Sequence, residues 1–169
     1  MLKLFAALAV VVGIDAASPA VSVSNGVVSY RNAALTGTLI ERYRDGHTKR
    51  VAEYRDGKLE GVVRGWYENG APQYFRTYHD GREDGIHRGW WENGNQKFIY
   101  EYRNGLAEGL SREWFSNGDP YTEFHFVAGH EEGTQRMWTS YGKLRANYVV
   151  KNGRRYGLIG AMGCEGKAR

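Results

Sequence analysis

Between residues 37 and 156, short runs of aromatic and β-branched residues are set off by polar, glycine-bearing corners that return at a fixed interval. The stretch 61–84, GVVRGWYENGAPQYFRTYHDGRED, shows the unit: an apolar run, the corner Asn69-Gly70, a second apolar run and the corner Asp80-Gly81. Steps of 24 residues from Gly61 reach Gly37, Gly85, Gly109, Gly133 and Gly157. The same step from Gly70 reaches Gly46, Gly94, Gly118 and Gly142, and from Gly81 it reaches Gly57, Gly105, Gly129 and Gly153. Sixteen of the 23 glycines thus fall on three positions of one period, without insertion or deletion. A fixed period of this size marks a repeat architecture.

Each copy reads as two strands and two turns. Asn69-Gly70, Asn93-Gly94 and Asn117-Gly118, flanked by aromatic and β-branched residues, predict two-residue hairpin turns with both φ angles positive. Asp56-Gly57, Asp80-Gly81, Asn104-Gly105 and Asn152-Gly153 mark a second turn, expected to be longer because three residues separate it from the next repeat glycine. Pro72 and Pro120 sit just past the Asn-Gly corner, where the first residue of a strand tolerates a missing amide. The expected fold class is all-β: an elongated, single-layer antiparallel meander of 24-residue β-hairpin repeats. Five full copies run from 37 to 156. Residues 22–31 are expected to be the second strand of a degenerate leading copy, since Tyr30 and Asn32 lie one period before Tyr54 and Asp56. Residues 157–163 are expected to be the first strand of a trailing half copy. About twelve strands at roughly 4.8 Å each give a sheet about 55 Å across.

Pairing residues symmetrically about the Asn-Gly corner assigns side chains to faces. One face collects Tyr67, Tyr74, Tyr78, Trp91, Phe98, Tyr100, Tyr102, Phe115, Phe124, Phe126 and Tyr148. In a single-layer sheet these rings must pack on one another, so their role is structural. The other face collects Trp66, Trp90, Trp114 and Trp138, each preceded two residues earlier by Arg64, Arg88, Arg112 and Arg136, with Val62, Phe75, Ile86 and Ile99 among them. Here two readings stand side by side. The arginines could lie over the tryptophans as cation–π pairs and reach Glu68 and Glu92, which would explain the row structurally. Tryptophan and arginine also dominate binding surfaces, and a row repeated four times would make a long recognition strip. These eight residues are the candidate binding site.

The unit G-x-x-R-x-W-[YWF]-x-N-G followed by [YF]-x-x-x-Y-x-[DN]-G-x-x-x-G resembles the MORN repeat, and more closely the bacterial variant found in the YwqK-like proteins known as antitoxins. The resemblance covers about residues 30–160. It implies a sheet of successive hairpins used as a scaffold for protein contacts, with lipid headgroups as a further proposed ligand. The chain departs from the pattern at Thr139, where the repeat carries an aromatic.

Composition adds little to this. The net charge of +4 comes from basic residues spread among acids, not from a block, which argues against nucleic acid as a partner. The acids Glu53, Glu60, Glu83, Asp84, Glu108, Glu131 and Glu132 fall mostly in or beside loops and read as solubilising. At the amino end, Met1-Leu2-Lys3, the uncharged apolar run 4–14 and the small-residue segment 15–20 have the layout of a secretory signal, with cleavage expected after Ala20. The apolar run is about half the roughly 20 residues that spanning a bilayer requires. The expected organisation is therefore a signal peptide over 1–20, a repeat domain over 21–163 and a flexible tail over 164–169, with the mature chain periplasmic or extracellular. The one cysteine, Cys164, has no internal partner, and no neighbouring base activates it.

No catalytic motif emerges. His47, His79, His87, His125 and His130 occupy five different repeat positions, so no ligand spacing recurs, and His125 and His130 read as solvated turn residues rather than a metal pair. No catalytic residue, metal ligand or cofactor is expected. The leading functional expectation is a non-enzymatic exported scaffold binding another protein through the Arg- and Trp-bearing face, as a monomer or an edge-paired dimer. The alternatives are an antitoxin or immunity component, and a binder of a lipid or glycan surface.

Overall fold

The computed structural model describes residues 13–159. Residues 1–12 of the expected leader, residues 160–163 of the trailing half copy, Cys164 and the expected tail lie outside them. The described chain is strand and turn with no helix.

The leading strands are β1 (Ile14–Asp15), β2 (Val21–Ser24), β3 (Val27–Tyr30) and β4 (Ala33–Ala34). The repeats follow as β5 (Gly37–Arg42), β6 (Thr48–Arg55), β7 (Lys58–Trp66), β8 (Pro72–His79), β9 (Arg82–Glu83), β10 (Gly85–Trp90), β11 (Gln96–Arg103) and β12 (Leu106–Trp114). The array ends with β13 (Pro120–Val127), β14 (His130–Trp138), β15 (Leu144–Lys151) and β16 (Arg154–Leu158). From β5 to β16 each strand pairs antiparallel with the next in sequence, and β9 and β10 behave as one strand interrupted at Asp84. The expected all-β meander of hairpins is the observed one.

The two turns are the reverse of the sequence expectation. The Asp-Gly-type corners are the two-residue turns: Asp56 and Gly57 have φ of 50° and 78°, and Asp80-Gly81, Asn104-Gly105, Ala128-Gly129 and Asn152-Gly153 share that pattern. At Asn69-Gly70 only Gly70 is positive, at 82°. Tyr67 N donates to Ala71 O at 2.9 Å and Gly70 N to Tyr67 O at 3.0 Å, which makes a three-residue loop. Asn69 Oδ1 accepts the Ala71 amide at 2.9 Å, a use of asparagine that needs no left-handed backbone.

The face assignment survives the exchanged turns because the irregularities compensate. Trp66 pairs with Pro72 but Gly65 with Tyr74, so one extra residue on β8 restores the register expected of a two-residue turn. At the other end, Ala52 pairs with Val63 and Tyr54 with Leu59, which places two extra residues on β7 and leaves parity unchanged. Gly61, with φ of 93°, sits in this bulge. The Glu53 carboxylate fills the gap in the ladder by accepting the Val62 amide at 3.0 Å, and a Cβ on Gly61 would overlap that carboxylate. In the fourth full copy His125 stands at Glu53's repeat position. It lies on β13 with Nδ1 3.0 Å from Thr134 O, so it is a mid-strand residue and not the solvated turn residue expected.

Several acids expected to be solubilising hold the array together instead. Glu60, Asp84 and Glu108 accept the amides of Asp80, Asn104 and Ala128 at 2.7, 3.1 and 2.9 Å, tying each two-residue turn to the one before it. Backbone bonds run beside them, from Gly81 N to Leu59 O and Gly105 N to Glu83 O. The opposite margin is tied by rings: Tyr43 donates to Trp66 O, Tyr67 to Trp90 O and Trp91 Nε1 to Trp114 O, at 2.7, 2.9 and 3.0 Å. The series stops at Phe115, which has no donor. One copy later Thr139 accepts the Lys143 amide within its own turn.

The ring-bearing face supplies the core. Leu39, Val63, His87, Ser111 and Gln135 occupy one repeat position and are all buried. The rings close over them: the Tyr78 and Tyr102 centroids lie 5.6 and 4.8 Å from that of His87. Fully burying one large apolar side chain contributes about 1.5–3 kcal/mol. A single layer can therefore build a core from its own side chains.

The leading end differs from expectation. Residues 22–31 are not one strand of the main sheet, because Asn25-Gly26 (φ of 50° and 78°) turns the chain within the segment. β2, β3 and β4 form a separate three-stranded sheet whose Val28 packs with Leu35 and Leu39. The edge position beside β5 is taken by β1, parallel, with Ile14 opposite Leu39 and Asp15 opposite Ile40. In the full chain, part of the segment expected to be cleaved is thus a strand of the sheet.

Candidate functional site

The strand register places Arg64, Arg88, Arg112 and Arg136 on one line across the sheet. Ile40 pairs with Val51, Val51 with Arg64, Arg64 with Phe75, Phe75 with Arg88 and Arg88 with Ile99. The line continues from Ile99 to Arg112, Glu123, Arg136, Asn147 and Leu158. Directly paired residues share a face, so all eleven side chains project from the same side. The four arginines are exposed. Trp66, Trp90, Trp114 and Trp138 flank them two residues along each strand and are half-buried. Equivalent residues are two strands apart, about 10 Å.

The arginines make different contacts from those expected. Arg64 lies over Phe75, 5.6 Å from the ring centroid, and not over a tryptophan. Arg112 and Arg136 converge on Glu123 at 3.3 and 3.7 Å. Among the described residues, none of these arginines forms an ion pair with Glu68 or Glu92, because those acids lie in the Asn-Gly loops, beyond the ends of the strands that carry the line. Among the described residues, Arg64 and Arg88 have no carboxylate within ion-pair distance: their cross-strand neighbours are Val51, Phe75 and Ile99, where Arg112 and Arg136 have Glu123. The strip is therefore apolar and cationic in its first half, while in its second two arginines share one carboxylate.

Two shallow cavities open on this face. One, of about 300 Å³, lies between Trp114 and Trp138 and is also lined by Arg112, Pro120, Thr122 and Glu123. The other, of about 470 Å³, lies against Trp66, Val51 and the Asn69-Gly70 loop. Partly buried tryptophans with one exposed wall present apolar area whose ordering cost is already met, which suits recognition of an extended partner.

Around His87 the ring face is closed by comparison. Burial pushes the Tyr74 and Tyr102 phenols up, and it does the same to Tyr100, assisted by the Glu113 carboxylate. Burial pulls His87 below its usual range, so the ring is neutral, and its Nε2 carries the proton donated to Thr77 O at 2.8 Å. Among the described residues, no group of three or more His, Cys, Asp or Glu side chains could hold a metal ion.

Sequence reasoning brought the eight candidate residues to one face but missed Glu123. The signal was present, since Val51, Phe75 and Ile99 occupy its position in earlier copies and an acid there is a departure. No family model matches this chain, and no curated protein matches it.

Proposed function

We propose that this chain is an exported, non-enzymatic repeat scaffold of MORN type that binds another protein along its Arg–Trp face. One observation carries it: the cross-strand line in which Arg64, Arg88, Arg112 and Arg136 alternate with Val51, Phe75, Ile99 and Glu123, each arginine flanked by a tryptophan. A structural role alone would favour arginines neutralised in each copy. Arg64 and Arg88 are instead left to solvent beside apolar side chains, the composition of an interface centre. The 24-residue period and the G-x-x-R-x-W unit support the MORN-type assignment, and the layout of residues 1–20 supports export.

The test is site-specific photo-crosslinking in the native envelope, with the crosslinker placed at Arg88 or Arg112 and, as a control, at Tyr102 on the ring face. A discrete protein adduct from the Arg–Trp face only, lost in the Trp90→Ala/Trp114→Ala double variant, is expected. Adducts from both faces alike, or adducts to lipid or glycan alone, would overturn the proposal.

A further inference from the structure

One cross-strand position on the ring face changes from copy to copy. It holds Glu41 opposite Arg50, Gly65 opposite Tyr74, Gly89 opposite Phe98, Glu113 opposite Thr122 and Met137 opposite Ala146. In the first copy the carboxylate has an internal cation, with Arg50 Nη1 2.7 Å from Glu41 Oε1. In the second and third copies a ring lies flat over a glycine, and a Cβ there would overlap Tyr74 or Phe98. In the fourth the carboxylate returns without its guanidinium. Glu113 accepts a hydrogen bond from the Tyr100 hydroxyl, and among the described residues no Lys, Arg or His lies within ion-pair distance of it.

What surrounds Glu113 instead is aromatic. A cavity of about 280 Å³ opens beside it, just below the range for drug-sized ligands and suited to a smaller one. One wall is Phe98 and Tyr100, stacked with centroids 4.6 Å apart and planes 10° from parallel. The other is Phe115 and Tyr121, with centroids 4.8 Å apart. Trp91, held by its bond to Trp114 O, completes the enclosure. Lys97 also lines the cavity, with Nζ 4.3 Å above the Trp91 ring centroid, so these rings already attract a cation. Neighbouring copies cannot repeat the enclosure: Tyr67 and Gln73 precede Trp91 and Lys97 by one period, and Thr139 and Arg145 follow Phe115 and Tyr121.

Aromatic faces around a carboxylate suit a cation that offers no N–H donor, because an alkylated ammonium is held by ring quadrupoles and charge, without hydrogen bonds. The lysine at the same cavity suits an anion a few atoms away. We propose that this pocket binds a small zwitterion: its quaternary ammonium against Tyr100, Phe115 and Glu113, its anionic group at Lys97, which lies over Trp91. Phosphocholine and glycine betaine have this chemistry, and a phosphatidylcholine surface presents the first of them.

The test is titration of the full chain, followed by tryptophan fluorescence and calorimetry, with phosphocholine, glycine betaine, choline and phosphatidylcholine vesicles, against sodium chloride at matched ionic strength. Saturable binding of at least one zwitterion is expected, weakened at least tenfold by Glu113→Gln. Thr122→Arg, which installs the internal cation of the first copy, should abolish it, with thermal melts confirming that each variant folds. Lys97→Met should weaken phosphocholine or betaine while sparing choline. Binding of free phosphocholine together with vesicles identifies a lipid headgroup, and binding of betaine alone a free solute; either supports the site. The proposal is overturned if no trimethylammonium compound binds saturably, if sodium chloride reproduces the response, or if Glu113→Gln and Thr122→Arg leave it intact. Equal losses of choline and phosphocholine in Lys97→Met would overturn the zwitterion assignment.

Discussion

Glu60 accepts the backbone amide of Asp80, twenty residues further along the chain, at 2.7 Å and so joins two successive turns. This amide is the main cause that holds the Glu60 carboxyl below its ordinary value, with His79 and Arg55 adding to it and desolvation opposing. The unfolded chain therefore takes up the proton first. The stabilisation is complete above the ordinary value of 4.5 and is lost as pH falls below it through the depressed folded value. Glu60→Ala should lower the melting temperature at pH 7, and its difference from the parent should shrink steadily below about pH 4.5. A difference that stays constant down to acid pH would show that the bond does not stabilise the stacked turns.

Gly65 faces Tyr74 across the ladder, and a Cβ on Gly65 would overlap the phenol ring. The backbone at Gly65 is ordinary, so only the ring excludes a side chain. Gly65→Ala should destabilise by about 1–3 kcal/mol, the usual cost of overpacking. Tyr74→Ala should cost stability alone yet remove the penalty of the glycine change. Denaturant melts of the two single variants and the double measure the coupling, and additive effects would rule out the steric account.

The amount of this that was legible in the sequence differs by element. The period and the strands of the repeats, β5 to β16, followed from glycine spacing, because a bulge and two turns each need a residue without a Cβ clash or with positive φ, whereas the leading strand expected over 22–31 did not. The turn types did not follow. Asn-Gly serves equally in a two-residue turn and at the end of a three-residue loop, and Asn69's bond to Ala71 decides between them only in three dimensions. Faces survived that error because the surplus residue on β8 and the two on β7 restore parity. Glu60, Asp84 and Glu108 were unreadable as staples, since their partners lie in the next copy's turn. Asn25-Gly26 carried the same two letters as the repeat corners, yet counting back from Tyr54 placed the segment in the main sheet.

His87 stands where Val63 stands one copy earlier, and both are buried. Burial depresses the imidazole, with the hydrogen bond to Thr77 O opposing. The unfolded chain binds the proton more readily, so stability is complete above the ordinary value of 6.5 and declines as pH falls below it. The urea midpoint should therefore drop between pH 7.5 and pH 5, and His87→Val should flatten that part of the profile. An unchanged pH dependence in the variant would show that other groups carry it.

Arg88 lies between Phe75 and Ile99 on the cross-strand line and has no acid beside it, whereas Arg112 and Arg136 share Glu123. Reversing charge at these positions should therefore have unequal effects on partner binding. Arg88→Glu removes an exposed cation that neutralises nothing within the chain, so folding should be preserved within about 0.5 kcal/mol, as for ordinary surface positions. Association should slow and lose salt dependence, because a charge at a binding surface acts chiefly on the rate of encounter. Arg136→Glu adds a like charge beside Glu123, so part of its effect should appear as lost stability and less as slower association. Association rates at two salt concentrations, with melts of both variants, separate the two outcomes. Equal binding losses with equal stability losses would mean that the face is structural throughout.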